Sequence, residues 1–217
     1  MSHSENVKYK CPYCGEEFDI EIWQAVNAEE DPDLRDRCKS GDVFRHSCPH
    51  CHKDFMIQNN LLYEDPKNLF VLLVSTKPVG DTLKAYAEPL VKKGYRLRRV
   101  STITEFTEKI QIFEDGANDV EVELAKYDSF IEFLNNRKGN AEDVTSIEYQ
   151  YQKDGIMKIN LRMNDKGMSF IIPEDGLKEE VEQEADLYKV DDTLFPCVNG
   201  RWIISLFDTD GSSELKS

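Results

Sequence analysis

Cysteine occurs twice in one arrangement, as CPYCG at residues 11–15 and as CPHCH at residues 48–52. A C-x-x-C pair suits two chemistries. It can exchange disulfides through a thiol of lowered pKa, or it can supply two of the four thiolates of a tetrahedral metal site. The flanks of the two motifs match as well. In KCPYCGEEFDIEI and SCPHCHKDFMIQN, Phe18 corresponds to Phe55 and Ile20 to Ile57, an internal repeat at a spacing of 37 residues. Pro12 and Pro49 fix φ at the start of each turn. Gly15 is free to take a positive φ, which lets backbone N–H groups point at the sulfurs. Two matched turns offer Cys11, Cys14, Cys48 and Cys51, the donor set of a tetrahedral Zn²⁺ with Zn–S bonds of about 2.3 Å. The 33 residues between Cys14 and Cys48 exceed the usual ribbon spacing.

The redox reading requires a different context. A thioredoxin-like pair follows a strand and opens a helix, whose N-terminus lowers the thiol pKa. Here Phe18, Ile20 and Ile22 alternate as in a strand, and HKDFMIQNNLLY after the second pair also reads as extended. The metal reading is therefore preferred, with a structural role for the ion. Three of the four histidines, His46, His50 and His52, flank the second motif, and His3 lies near the N-terminus. Four cysteines already close a coordination sphere, so these histidines are read as solvent-facing or as donors to sulfur. His52 is the substitute ligand should one cysteine fail. Cys38, one helical turn from Leu34, and Cys197 are read as small buried residues rather than reactive thiols.

These cysteines must be positioned by elements that the pattern also predicts. Asp31, Pro32 and Gly41 bracket a short helix in the insert. FMIQNNLLY, the turn EDPKN and LFVLLV read as a hairpin that extends a small sheet. STKPVG, residues 75–80, reads as a boundary. Helices follow in DTLKAYAEPLVKKG, around the stripe Ile103, Phe106, Ile110 and Phe113, and around Val120, Leu124, Tyr127, Ile131 and Leu134, with Thr102/Glu105 and Asn118/Glu121 as caps. SIEYQYQKDGIMKINLRM is a hairpin about Asp154-Gly155, SFIIP a strand, and LKEEVEQEADLYKV an acidic helix. TLFPCV and RWIISLF read as a second hairpin about Asn199-Gly200. The expected fold class is α+β. A zinc-ribbon-like part with a small antiparallel sheet covers residues 1–76, a helical segment 77–140, a strand-rich α+β segment 141–207 and a disordered tail 208–217.

The twin C-P-x-C motifs with NAEEDPDLRDRCKSGDVFRHSCPHC between them, and TEFTEKIQIFEDGANDVEVELAK further on, resemble the CpXC family over roughly residues 8–135. The resemblance implies metal ligation by the two motifs and implies no activity. His52 departs from the repeat, since a second glycine would match Gly15; histidine enters the left-handed region less readily than glycine.

Net charge is −15, and residues 1–63 alone carry 7 Lys+Arg against 12 Asp+Glu. Nucleic-acid binders present basic faces, so a nucleic-acid-binding ribbon ranks third among the functional readings. The longest strongly apolar run, LFVLLV, is too short to cross a bilayer. No basic stretch leads into an apolar one at the N-terminus, so the cytoplasm is the expected compartment. No phosphate-binding loop, H-E-x-x-H or G-x-S-x-G occurs, and no histidine follows His52. The leading expectation is a zinc-binding interaction or scaffold module with a protein partner and no catalytic residues. The alternative is a thiol-redox or zinc-dependent enzyme using the C-x-x-C pairs.

Overall fold

The computed structural model describes residues 1–207 apart from 78 and 165; the side chains of residues 81 and 82 and the expected tail at 208–217 lie outside the described residues. The chain is α+β, and its described residues divide into two compact units, Met1–Thr107 with Asp191–Pro196, and Glu108–Val190 with residues 197–207.

The first unit is built on a five-stranded sheet of order β1-β2-β5-β6-β7. Strands β1 (His3–Lys10) and β2 (Glu17–Asn27) form an antiparallel hairpin, paired from Lys10↔Glu17 to His3↔Ala25. Beyond it, α1 (Pro32–Ser40) starts at Pro32 and stops at Gly41, whose φ of 78° is left-handed; it buries Leu34 and Cys38. Asp31 holds the N-cap position without a side-chain cap bond. Strands β3 (Arg45–Ser47) and β4 (Asp54–Met56) make a separate two-stranded hairpin. The hairpin of β5 (Leu61–Asp65) and β6 (Phe70–Val74) then joins the large sheet.

This sheet is mixed rather than the small antiparallel one expected. β5 pairs with β2 in parallel through Ala25, Val26 and Asn27, and β7 (Arg96–Val100) pairs with β6 in parallel after the crossover helix α2 (Asp81–Lys92). The boundary read at residue 76 thus falls inside a β-α-β unit. A crossover helix looks locally like a helix after a linker, and only its long-range pairing shows that it belongs to the sheet. Every residue of β6 is buried, as suits a central strand covered on both faces. One face packs Val71, Leu73 and Leu97 against Ala87 of α2 and against Phe195. On the other, the Phe106 ring meets Phe44 and Tyr63, each at a centroid distance of 5.7 Å.

Residues 193–198 do not form a strand. A 3-10 turn at Asp192–Leu194 leads into Phe195, Arg99 N–H donates to the Pro196 carbonyl at 3.1 Å, and Asp192 pairs with the buried Arg98. The partner strand expected at RWIISLF is instead a helix, α6 (Gly200–Phe207). Asn199 caps it by accepting from Trp202 N–H at 3.1 Å. Asn-Gly suits a tight hairpin, but Asn is equally a strong N-cap, and the cap prevails here.

In the second unit, β8 (Val144–Lys153), β9 (Ile156–Met163) and β10 (Gly167–Pro173) form an antiparallel sheet of order β10-β9-β8. Asp154 and Gly155 both have positive φ, 54° and 74°, as the expected two-residue hairpin turn requires. Helix α4 (Asp119–Asn135) packs on β8, β9, α6 and α5 (Glu174–Gln183). It follows α3 (Ile103–Glu114), within which the two units divide. Both caps read from the sequence form. Glu105 N–H donates to Thr102 Oγ1 at 3.1 Å while the Glu105 carboxylate accepts from Ser101 N–H at 2.6 Å, and Val120 N–H donates to Asn118 Oδ1 at 3.0 Å.

Covered from several sides, α4 buries far more than one stripe: residues 121–126 are all buried, Glu121, Glu123 and Lys126 among them. The charges are paired. Lys109 Nζ lies 3.0 Å from Asp119 and 3.7 Å from Glu123 and donates to the Val198 carbonyl at 2.8 Å. Lys126 Nζ lies 2.5 Å from Glu108 and 3.4 Å from Glu123. Burial pushes the Glu123 carboxyl pKa up, and the two lysines oppose that shift.

Candidate metal centre

Each C-x-x-C is the tip of a hairpin. Cys11 follows β1 and Gly15 precedes β2; Cys48 follows β3 and His52 precedes β4. The two tips share one backbone pattern. Gly15 N–H donates to the Cys11 carbonyl at 3.0 Å and His52 N–H to the Cys48 carbonyl at 2.9 Å. Cys11 N–H donates to the Glu16 carbonyl at 2.9 Å and Cys48 N–H to the Lys53 carbonyl at 3.1 Å. The repeat in sequence is thus a repeat in conformation. His52 takes the glycine role at φ 56°, beside 79° for Gly15.

A left-handed non-glycine residue costs about 1–2 kcal/mol. His52→Gly is therefore expected to raise the stability of the metal-loaded protein by about 1 kcal/mol, and Gly15→Ala to lower it by a similar amount. A Cβ on Gly15 meets only Lys10 Cε at 3.7 Å, so that cost is one of backbone and not of crowding. Thermal melts of the two variants check both signs.

Aromatic packing holds the hairpins together. Phe55 on β4 stacks on Tyr9 of β1 at 5.4 Å and meets Phe18 of β2 edge-on at 6.3 Å, and with Cys11 and Cys48 it forms a small apolar cluster behind the sulfurs. The matched residues Phe18 and Phe55 thus touch each other, which accounts for their place in the repeat.

The four sulfurs Cys11, Cys14, Cys48 and Cys51 lie within 4.8 Å of one another, with 3.7 Å for both Cys11–Cys51 and Cys14–Cys48. A tetrahedron with metal–sulfur bonds of about 2.3 Å has edges of about 3.8 Å, so the donor set suits a thiophilic ion. The first cysteine of each motif is buried, Cys11 at 2% and Cys48 at 1% exposure, whereas Cys14 is exposed and Cys51 partly so. The thiols ionise unequally. Burial opposes ionisation of Cys11, but N–H groups of Cys14 and Tyr13 and the neighbouring thiols outweigh it and bring its pKa down to about 6. Glu16 N–H favours the Cys14 thiolate, yet burial and the other three sulfurs push that thiol up to about 12.

No histidine joins the cluster among the described residues. His50 lies edge-on to Phe18 at 6.4 Å. His46 lies 6.1 Å from Phe55, and burial lowers its pKa. Cys38 is fully buried, and burial pushes its thiol up to about 12, as suits an inert core residue. Cys197, expected in the core, is partly exposed. The paired charges about Lys109 and Lys126 escape a reading by motif, because five of the many charged residues come together only through the fold.

Two hairpin tips that converge four cysteines on one point, in an α+β chain, define a protein able to hold a metal ion through sulfur. The model of the CpXC protein family matches residues 9–126, more than half of the chain, and the protein belongs to that family. No curated protein and no solved structure matches the chain. No helix among the described residues is long and apolar enough to cross a membrane.

Proposed function

We propose that Cys11, Cys14, Cys48 and Cys51 bind one Zn²⁺ per chain and that the ion is structural, joining the β1–β2 and β3–β4 hairpins. The observation that carries this reading is the convergence of the four sulfurs, with two edges at 3.7 Å. Neither motif opens a helix. Strand β2 follows the first and β4 the second, so the helix N-terminus of a thioredoxin-type pair is lacking at both. No turnover is expected in a glutathione-coupled disulfide reduction assay with zinc bound.

Around this centre we read a cytoplasmic interaction or scaffold module for a protein partner. The charge of −15 favours a protein over a nucleic acid. The test compares the zinc-loaded chain with a Cys48→Ser/Cys51→Ser chain as bait in host extract. A partner retained only by the zinc-loaded bait supports the reading, and equal capture of that partner by both baits counts against it.

Metal uptake displaces thiol protons, so affinity must rise with pH. The sign follows from the groups themselves. Cys14, raised to about 12 without metal, is protonated at neutral pH and must lose that proton on binding. Competition titrations with a chromophoric chelator are expected to give tighter binding at pH 8 than at pH 6, and a pH-independent affinity would contradict ligation by that thiol.

A further inference from the structure

The two motifs are alike in backbone but not in access: Cys14 is the one exposed residue of the four, and its sulfur lies 3.7 Å from that of Cys48, across the gap between the hairpins. We propose that Cys14 is an oxidation site through which a hydroperoxide converts the metal centre into cross-hairpin disulfides and releases the ion. The proposal rests on the metal reading above and deepens it by assigning the site a form of regulation.

Each step balances. The Cys14 thiolate attacks hydrogen peroxide; a sulfur–oxygen bond forms, the oxygen–oxygen bond breaks and hydroxide leaves. The Cys48 thiolate then attacks the Cys14 sulfur; a disulfide forms, the sulfur–oxygen bond breaks and a second hydroxide leaves. The two thiolates have supplied the two electrons that reduce one peroxide. Cys11 and Cys51, the other pair at 3.7 Å, react with a second peroxide in the same way. The metal ion keeps its oxidation state and leaves because its donors are gone. Cys38 stays out of the chemistry because it is fully buried.

The pairing separates this route from an ordinary C-x-x-C oxidation. Cleavage after Lys10, Arg35, Arg45 and Lys53 places Cys11 and Cys14 on one tryptic peptide, residues 11–35, and Cys48 and Cys51 on another, residues 46–53. The zinc-loaded full chain is treated with graded hydrogen peroxide, and zinc release and non-reduced peptide masses are followed together. The expected result is release of the whole zinc complement by about two equivalents of peroxide, with the two peptides joined and dithiothreitol plus zinc restoring the start. Separate peptides, each closed on itself, or a zinc complement that survives while Cys197 is oxidised, would overturn the proposal. Metal content measured before oxidation keeps the two ideas apart. A chain that takes up no zinc defeats the metal reading, whereas retained zinc under peroxide defeats only the oxidation route.

Discussion

Cys48→Ser is expected to abolish stoichiometric zinc binding and to release the two hairpins from each other. β3 and β4 are three residues each, too short to persist as an isolated hairpin in water. Their hold on β1 and β2 is the aromatic cluster around Phe55 together with the four sulfurs. Where a site does not preform in the unfolded chain, the free energy of metal binding is folding free energy, about 10 kcal/mol or more in isolated zinc-finger peptides. Here the loss is smaller, because the strands beyond have a core of their own. Hydrogen exchange should show protection lost through β3, β4 and the tip of the β1–β2 hairpin and retained in β5, β6 and β7, where Phe70, Val71, Leu72 and Leu97 are fully buried. Unchanged protection in β3 and β4 would mean that the metal does not support the fold.

Lys109→Met is expected to destabilise the second unit by about 3–5 kcal/mol, the usual cost of removing one partner of a buried ion pair. The lysine is 3% exposed, and Asp119, at 0%, and Glu123, at 2%, are left facing each other without its charge. Lys126, whose Nζ is 3.4 Å from Glu123, can compensate there. Asp119 loses a 3.0 Å charge-assisted bond beside the start of α4. Replacing Lys109 and Asp119 together by Met and Leu should recover most of the loss, since exchanging a whole buried pair for apolar side chains is often neutral. Denaturant midpoints of the single and double variants measure both effects. A single variant within 1 kcal/mol of the parent would show that the network carries little of the stability.

The metal-site candidates were legible because they are local. A C-P-x-C turn specifies its own conformation within five residues, and repetition of Phe and Ile at matched offsets marks the two turns as one design. The matched position His52 also followed from the repeat, since a turn that needs a left-handed residue imposes it on whatever side chain stands there. Helices α3 and α4 and the β8–β9 hairpin were legible for the same reason: their caps and turn residues lie next to the segments they end. What escaped was non-local. The parallel pairing of β6 with β7 depends on partners more than twenty residues apart. The return of Asp192 and Phe195 to the first unit depends on Arg98 and on the β6–β7 face, nearly a hundred residues away. The segment around Asn199-Gly200 was misread because two local rules favour the same dipeptide. Trp202, Ile203, Leu206 and Phe207 make a helix face, whereas Trp202, Ile204 and Leu206 make the alternating face of a strand, and packing decided between them: Ile203 is buried and the Phe207 ring stacks on Tyr127 at 4.7 Å. The depth of α4 escaped because a polar residue reads as solvent-facing until its partner is known.

The central claim is that four sulfurs hold one zinc ion, and zinc K-edge X-ray absorption on the full chain at measured metal stoichiometry tests it most directly. The account predicts one zinc per chain and a single shell of four sulfurs at about 2.3 Å, with no nitrogen or oxygen in the first shell. A substoichiometric metal content, or a shell in which imidazole nitrogen or water replaces one of the sulfurs, would contradict it.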